Sequence, residues 1–190
     1  MMYHNLHVLY TTLTIRGLKP KLMIFHSNNI AIMTPAISTL STRKIRYQLH
    51  DYDHDTSSES YGKEASEKMN AAIQTIFKTL VVKLNNGELV VNVIPVNTKL
   101  SMKAVAKAHN AKKATMADKT EVQVSTGYVI GGVSPIGLKK ALRVLIDESA
   151  QNHSTLFISG GRRGLEIELS PQDLKQVTKG AFSSLTQKPA

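Results

Sequence analysis

Ile76-Phe77-Lys78-Thr79-Leu80-Val81-Val82-Lys83-Leu84, then Asn85-Asn86-Gly87, then Glu88-Leu89-Val90-Val91-Asn92-Val93-Ile94-Pro95: two apolar runs flank a turn, and the pattern predicts a β-hairpin. Runs of this length rich in valine, isoleucine and leucine suit strands. Asparagine and glycine tolerate the positive φ that a tight hairpin turn demands. Towards the N-terminus, Thr34-Pro35 supplies an N-cap and a first-turn proline, which predicts a helix to about Thr42. Ile45, Tyr47 and Leu49 alternate with Arg46, Gln48 and His50, the period of a half-buried strand. Polar Thr56–Ser60 reads as a loop before a short helix from about Gly62 to Asn70.

Beyond the hairpin, Ser101 caps a helix of alanines and lysines through Ala108, and Asp118 caps another that ends near Thr126-Gly127. Tyr128-Val129-Ile130 reads as a short strand running into a glycine turn, and Arg143–Ile146 as a further strand. Thr155–Ile158 and Leu165–Leu169 form a hairpin around Gly160-Gly161-Arg162-Arg163-Gly164, and Ser170-Pro171 opens a last helix that stops before Gly180. Strands interleaved with helices and rich in hairpins imply an α/β protein with a mixed sheet, not a doubly wound parallel one.

Lys78 sits alone inside the apolar run Ile76–Val82, and two glycine-rich segments, Gly131-Gly132-Val133-Ser134-Pro135 and Ser159-Gly160-Gly161, follow later. Glycine lets backbone N–H groups face a ligand without side chains in the way. A lysine with two such loops suits a site that binds a carbonyl or phosphate and stabilises negative charge on it. Gly131 and Gly132 could act as an oxyanion hole, whose single donors contribute roughly 3–4 kcal/mol in known enzymes. Pro135 would stiffen that loop. The competing reading is a β-protein with one snorkelling lysine and two ordinary turns. Ser159 lacks a Gly-x-Ser-x-Gly elbow and evident His/Asp partners, so it is read as a hydrogen-bonding group and not as a nucleophile. Thr79 falls on the strand face opposite Lys78, so a role for it would run through its backbone amide.

His50-Asp51-Tyr52-Asp53-His54-Asp55 invites a metal reading, but on a strand the two histidines share a face with Tyr52 while the aspartates take the other. No His-Glu-x-x-His or third convergent ligand is evident, and the cluster reads as a pocket wall. No metal and no cofactor is expected. The 190-residue chain has no cysteine, which excludes disulfides, thiolate metal sites and a cysteine nucleophile. Its formal charge of +10 points to a polyanionic partner, nucleic acid before membrane. Lys139, Lys140, Arg143, Arg162 and Arg163 stand near the glycine loops as phosphate contacts, with a solvated basic rim as the competing reading. Residues 1–32 carry Arg16, Lys19 and Lys21 but no acid, and are read as an extension translated from an early start codon, with a targeting peptide as the alternative.

Several of these segments, in this order, also carry a family resemblance. They are Met33-Thr34-Pro35-Ala36-Ile37, the His50–Asp55 cluster, Phe77-Lys78-Thr79-Leu80, Met116-Ala117-Asp118, Ser125-Thr126-Gly127-Tyr128, Gly131–Gly137, Ser159–Gly164 and Ser170-Pro171-Gln172-Asp173-Leu174. From Met33 to about Phe182 the chain resembles the YbaK/EbsC family of free-standing Cys-tRNA(Pro) deacylases, relatives of the editing domain inserted in prolyl-tRNA synthetases. The resemblance implies a curled, barrel-like mixed β-sheet with helices packed outside. It sets a domain over 33–182 and leaves 183–190 as a C-terminal tail. It implies a cytoplasmic enzyme acting in trans on Cys-tRNA(Pro), and on Cys-tRNA(Cys), alongside prolyl-tRNA synthetase and away from membranes. Cleavage would be by the substrate's own thiol, with Lys78, Gly131, Gly132 and Ser159 at the reacting ester and Tyr52 near the terminal adenosine. Thr79, Pro135, Lys139, Arg162 and Arg163 would complete the substrate contacts. The rival readings are a water-based Ala-tRNA(Pro) deacylase and a non-catalytic tRNA- or synthetase-binding module.

Overall fold

The computed structural model describes residues 33–55 and 61–187. The expected 1–32 extension, the Thr56–Ser60 loop and residues 188–190 lie outside the described residues. The hairpin forms as the sequence predicts. Strand β2 (Phe77–Leu84) pairs antiparallel with β3 (Leu89–Pro95), from Phe77↔Pro95 to Lys83↔Leu89. Its turn is closed by the Leu84 N–H donating to the Glu88 carbonyl at 2.8 Å, with Gly87 at φ +87°.

A five-stranded sheet assembles around it in the order β4-β2-β3-β5-β8, where β4 is Ala114–Met116, β5 Arg143–Asp147 and β8 Ala181–Ser183. The β2–β3 and β2–β4 pairs are antiparallel while β3–β5 and β5–β8 are parallel, so the sheet is mixed. A second, antiparallel sheet has the order β1-β7-β6, from β1 (Gln48–Asp51), β6 (Leu156–Ser159) and β7 (Leu165–Leu169). The two sheets meet through a bridge between Ile76 and Phe157.

Four of the five α-helices start on a side-chain acceptor that the sequence marks. Thr34 caps α1 (Pro35–Thr42), Ser101 caps α3 (Met102–Ala108), and Ser170 caps α5 (Pro171–Thr178). Asp118 and Glu121 form a capping box on α4 (Lys119–Thr126), which ends on Gly127 in the left-handed region. Helix α2 spans Tyr61–Met69. None of these helices is long and apolar enough to cross a membrane.

One core cluster joins Val82, Leu84, Val90 and Ile94 of the hairpin to Leu100, Val105, Leu145 and Leu185. A second set of buried residues, Leu156, Ile158, Leu165, Ile167 and Leu169, lines one face of the smaller sheet. Its opposite face carries Ser159, Glu166 and His50 in one cross-strand row.

Three expectations are corrected. The strand expected over 45–50 is displaced to Gln48–Asp51, because the Ile45 N–H closes the end of α1 on the Leu40 carbonyl, and Leu49 is left 36% exposed. Tyr128-Val129-Ile130 is not a strand. The Gly132 N–H turns back onto the Val129 carbonyl, so the segment makes a turn in place of a ladder. Of the expected 183–190 tail, residues 183–187 are packed on the domain. Ser183 pairs with Asp147 in β8–β5, the Leu185 N–H donates to buried Asp147 Oδ2 at 2.9 Å, and the Leu185 side chain is fully buried. The Gln187 N–H then donates to the Lys99 carbonyl.

Leu185→Ala is expected to cost about 2–5 kcal/mol of stability, the range for emptying a leucine site in a core. Urea unfolding of the variant checks this, and a midpoint equal to that of the parent chain would show that the segment after β8 contributes no packing.

Candidate active site

Strand β4 covers the outer edge of β2 at Val82–Leu84, the Ala117 N–H reaches Val81, and β6 bridges at Ile76, so the open stretch of that edge centres on Thr79. A cleft of about 530 Å³ runs along that edge, lined by consecutive residues Ile76–Val81 and by Gly131, Ser159 and Glu166 from other elements. Its volume falls in the range of small-molecule sites. Across the hairpin the Leu84 N–H bonds to β3, while the Val81 carbonyl faces outward and accepts from the Ala117 N–H at 3.1 Å. Alternation then turns the backbone N–H and C=O of Thr79 to the open edge as well. Thr79 thus meets the cleft through its main chain, and its buried Oγ1 has no hydrogen-bond partner among the described residues.

Lys78 lines the cleft, and its Nζ donates to the Val96 carbonyl at 2.9 Å and the Thr98 carbonyl at 2.7 Å. An ammonium has three donors, so two are spent fixing its position and one is left for a ligand. Burial pushes its pKa below the ordinary lysine value. The snorkelling alternative does not describe this side chain, whose head is held by the turn after β3.

Glu166 was not singled out from sequence. In Leu165-Glu166-Ile167-Glu168-Leu169 both glutamates look like the solvent face of a strand, and nothing in the pattern tells a cleft wall from solvent. Register places Glu166 opposite Ser159 on β6 and opposite His50 on β1. Burial pushes its carboxyl up to about 8, so it is mostly protonated near neutral pH and presents a donor in place of a charge. Tyr52 lies beside this group. Burial first, then the negative charges of Glu166 and Glu64, hold its phenol protonated well above the ordinary range.

Three loops far apart in sequence are clasped around the cleft. The Thr34 hydroxyl donates to the Gly160 carbonyl at 2.5 Å, and the Tyr128 hydroxyl donates to the Ile136 carbonyl at 2.6 Å. Gly132 packs so closely on the Arg162 backbone that a Cβ there would come within 2.9 Å of the Arg162 Cα. Gly131 holds φ +87°, and its N–H makes no hydrogen bond among the described residues.

Several expected contacts lie elsewhere. Gly132 does not line the cleft, because its N–H is used by the Val129 carbonyl at 3.0 Å. It serves as the packing point for the neighbouring loop. Pro135 is buried on the other side of its loop, and Lys139 is exposed past the end of α4, where its N–H donates to the Thr126 carbonyl. Arg162 pairs with Asp51 at 2.7 Å, and Arg163 donates twice to the Ile130 carbonyl, which ties the 160s loop to the residue before Gly131. Ser159 Oγ accepts from the Gly161 N–H at 3.4 Å, and no base is bonded to it among the described residues. His50 and His54 take separate carboxylates, Glu168 and Glu64, each at 2.9 Å, so they do not converge.

The aminoacyl-tRNA editing domain family matches residues 57–177 of the chain. A protein of Enterococcus faecalis named as Cys-tRNA(Pro)/Cys-tRNA(Cys) deacylase EbsC is 36% identical over 156 residues, which is 82% of this chain and 94% of that protein. A proline–tRNA ligase of Brachyspira hyodysenteriae is 24% identical over 99 residues, 52% of this chain and 17% of the ligase. A solved structure described as a trans-editing enzyme for prolyl-tRNA synthetase superposes with a TM-score of 0.73 at 22% identity. The match covers 81% of this chain and 96% of that one, and shows a shared fold.

The raised Glu166 pKa has a consequence for stability. The native state keeps the proton that an unfolded glutamic acid, at about 4.5, has lost. Its contribution is therefore complete below about pH 4.5 and is lost as pH rises through about 8. Melting temperatures of the parent chain should fall over this window more than those of Glu166→Gln, the two curves converging at the acid end. Parallel curves would place the Glu166 carboxyl in water.

Proposed function

The chain belongs to the aminoacyl-tRNA editing domain family, and we propose that it acts in trans to deacylate Cys-tRNA(Pro), with Cys-tRNA(Cys) as a second substrate. The observation that carries the reading is a cleft that fixes a lysine ammonium by two carbonyls beside Gly131 and a protonated Glu166, while Ser159 has no base to activate it. Such a site can hold an ester and stabilise charge on it. It is short of a nucleophile.

The substrate's own sulfur fills that gap. In the proposed reaction the cysteinyl thiolate attacks its ester carbonyl, an S–C bond forms, the C–O bond to the ribose breaks, and a cyclic thioester departs. The thiol proton ends on the leaving ribose oxygen, so atoms balance without a second substrate. A thiolate is intrinsically nucleophilic and partly populated near neutral pH, so orientation and charge stabilisation suffice. Lys78 and the Gly131 N–H would face the carbonyl oxygen as negative charge develops. Neutral Glu166 would donate towards the ribose oxygen. The water-based alternative needs a carboxylate base, and burial raises the Glu166 pKa well above the ordinary carboxylate range, which opposes that role near neutral pH.

The proposal extends to a cytoplasmic setting and to association with prolyl-tRNA synthetase. It takes the catalytic unit to begin at Met33, and the two sheets to wrap the cleft as one curled, barrel-like wall.

Two measurements test it. Lys78→Ala should lose most single-turnover release of cysteine from Cys-tRNA(Pro) and about 1–3 kcal/mol of stability, because the Val96 and Thr98 carbonyls lose a charged donor. Activity within a few-fold of the parent chain would take Lys78 out of the site. On one tRNA, cysteinyl, S-methylcysteinyl and seryl esters should separate by far more than the roughly 10–200-fold that a small change in size allows. Comparable rates for all three would establish an activated water.

A further inference from the structure

The loop that begins at Gly131 has two sides. Gly131 and Val133 face the cleft described above, while Pro135, Ile136 and Gly137 help to line a second one of about 720 Å³. This second cleft lies against the end of α1, the end of α5 and the start of β5. Arg43, Lys140, Arg143 and Lys179 line it, and no carboxylate does. Glu88, outside the lining, holds Arg143 by two hydrogen bonds of 2.6 Å. Arg43 donates through one nitrogen to the Val177 carbonyl at 2.9 Å, which leaves most of its guanidinium fork unspent. Among the described residues Arg43, Lys140 and Lys179 have no carboxylate partner.

A second observation points to a ligand. His109, at the end of α3, lines the same cleft, is 8% exposed, and its Nε2 has no hydrogen-bond partner among the described residues. Burial first, then the Arg143 charge, lowers its pKa, so the ring is a neutral hydrogen-bonding group. A buried polar nitrogen left unpaired costs free energy, which a polar ligand would recover once a small shift of the cleft wall uncovers it. Ile136, Leu142 and Val177 add apolar surface. Unpaired cations, one buried neutral imidazole and an apolar wall together suit an anion that carries a flat heterocycle.

We propose that the juxtaposition of Arg43, Lys140, Lys179 and the unpartnered His109 Nε2 in this second cleft forms a nucleotide-phosphate site, filled by a nucleotide of the RNA chain whose aminoacyl end enters the first cleft. The choice of RNA as the source rests on the deacylase reading. The site itself rests only on the cleft. Because one loop forms a wall of both clefts, an RNA strand held in the second would bear on the loop that carries Gly131.

The test uses the full chain and an uncharged RNA hairpin with a single-stranded CCA end, with adenosine monophosphate as the separate probe. Binding of the hairpin to the double variant Lys140→Glu/Lys179→Glu should weaken at least tenfold at low salt, and the slope of log affinity against log salt should fall by about 2. The His109 ring resonances should shift when hairpin is added to the parent chain and stay still in the variant. This readout does not depend on a His109 substitution folding. If adenosine monophosphate alone binds, and binding is lost in the variant, the site stands and the source is a free nucleotide. Unchanged binding of both probes in the variant, or still His109 resonances with both, would overturn the site. Neither probe is an ester, so failure here leaves Cys-tRNA(Pro) turnover to be judged separately. An inactive enzyme that still binds the hairpin through this cleft would sink the deacylase reading alone.

Discussion

Close approach of main chain to main chain at Gly132 is the constraint on which the site depends. The loop carrying Gly131 has no strand ladder to hold it, so its position comes from what it touches. A side chain at Gly132 would need to occupy space 2.9 Å from the Arg162 Cα and 3.0 Å from its carbonyl carbon. Backbone cannot rotate out of the way as a lysine tip can, so the two loops would have to part. The same economy recurs at Gly137, where a Cβ would stand 2.6 Å from the carbonyl carbon of Pro35, and at Gly161, 2.7 Å from the Tyr128 ring. Side-chain hydrogen bonds then fix what close packing brings together, from Thr34 to the 160s loop and from Tyr128 across its own loop. Arg163, expected from sequence as a phosphate contact, gives two donors to the Ile130 carbonyl and so takes part in the clasp.

Local signals were legible wherever the physics is local. Thr34, Ser101, Asp118 and Ser170 each accept from a backbone N–H two or three residues on, so the helix starts could be read from a few letters. The hairpin was equally plain, since Asn85-Asn86-Gly87 and its flanking runs leave few alternatives. Lys78, Gly131 and Ser159 were picked out from sequence and share one cleft. The misses share a different cause. Strand β8 has three residues, too few for a period, and exists because β5 offers a parallel edge. Tyr128-Val129-Ile130 has the composition of a strand, yet its main chain folds into a turn and buries Tyr128 by giving its hydroxyl an acceptor. Glu166 alternates like any solvent-facing residue, and only the position of the other sheet decides that its face is a cleft wall.

The expected contacts that do not line the cleft follow the same logic. Sequence proximity to a glycine loop suggested Pro135, Lys139 and Arg162, but a loop has two sides and a strand edge ends. Pro135 falls on the far side, Lys139 trails from the end of α4, and Arg162 turns to Asp51.

The electrostatics of the cleft set what chemistry it can host. Burial acts on Lys78 and Glu166 in the same sense, against the charged form of each. At Lys78 two carbonyls oppose it, since they need a donor and an ammonium is the best one available. Glu166 has no comparable partner supporting its anion, so desolvation prevails and the proton stays. The outcome is a site with one anchored positive donor and one neutral acid, both suited to a developing oxyanion and a leaving alkoxide. A base strong enough to strip water is what this arrangement lacks near neutral pH, and Ser159, bonded to the Gly161 N–H, does not supply one. In the proposed reaction a substrate that brings its own ionisable sulfur removes the need for that base, and the polarity of the cleft would itself select the amino acid released.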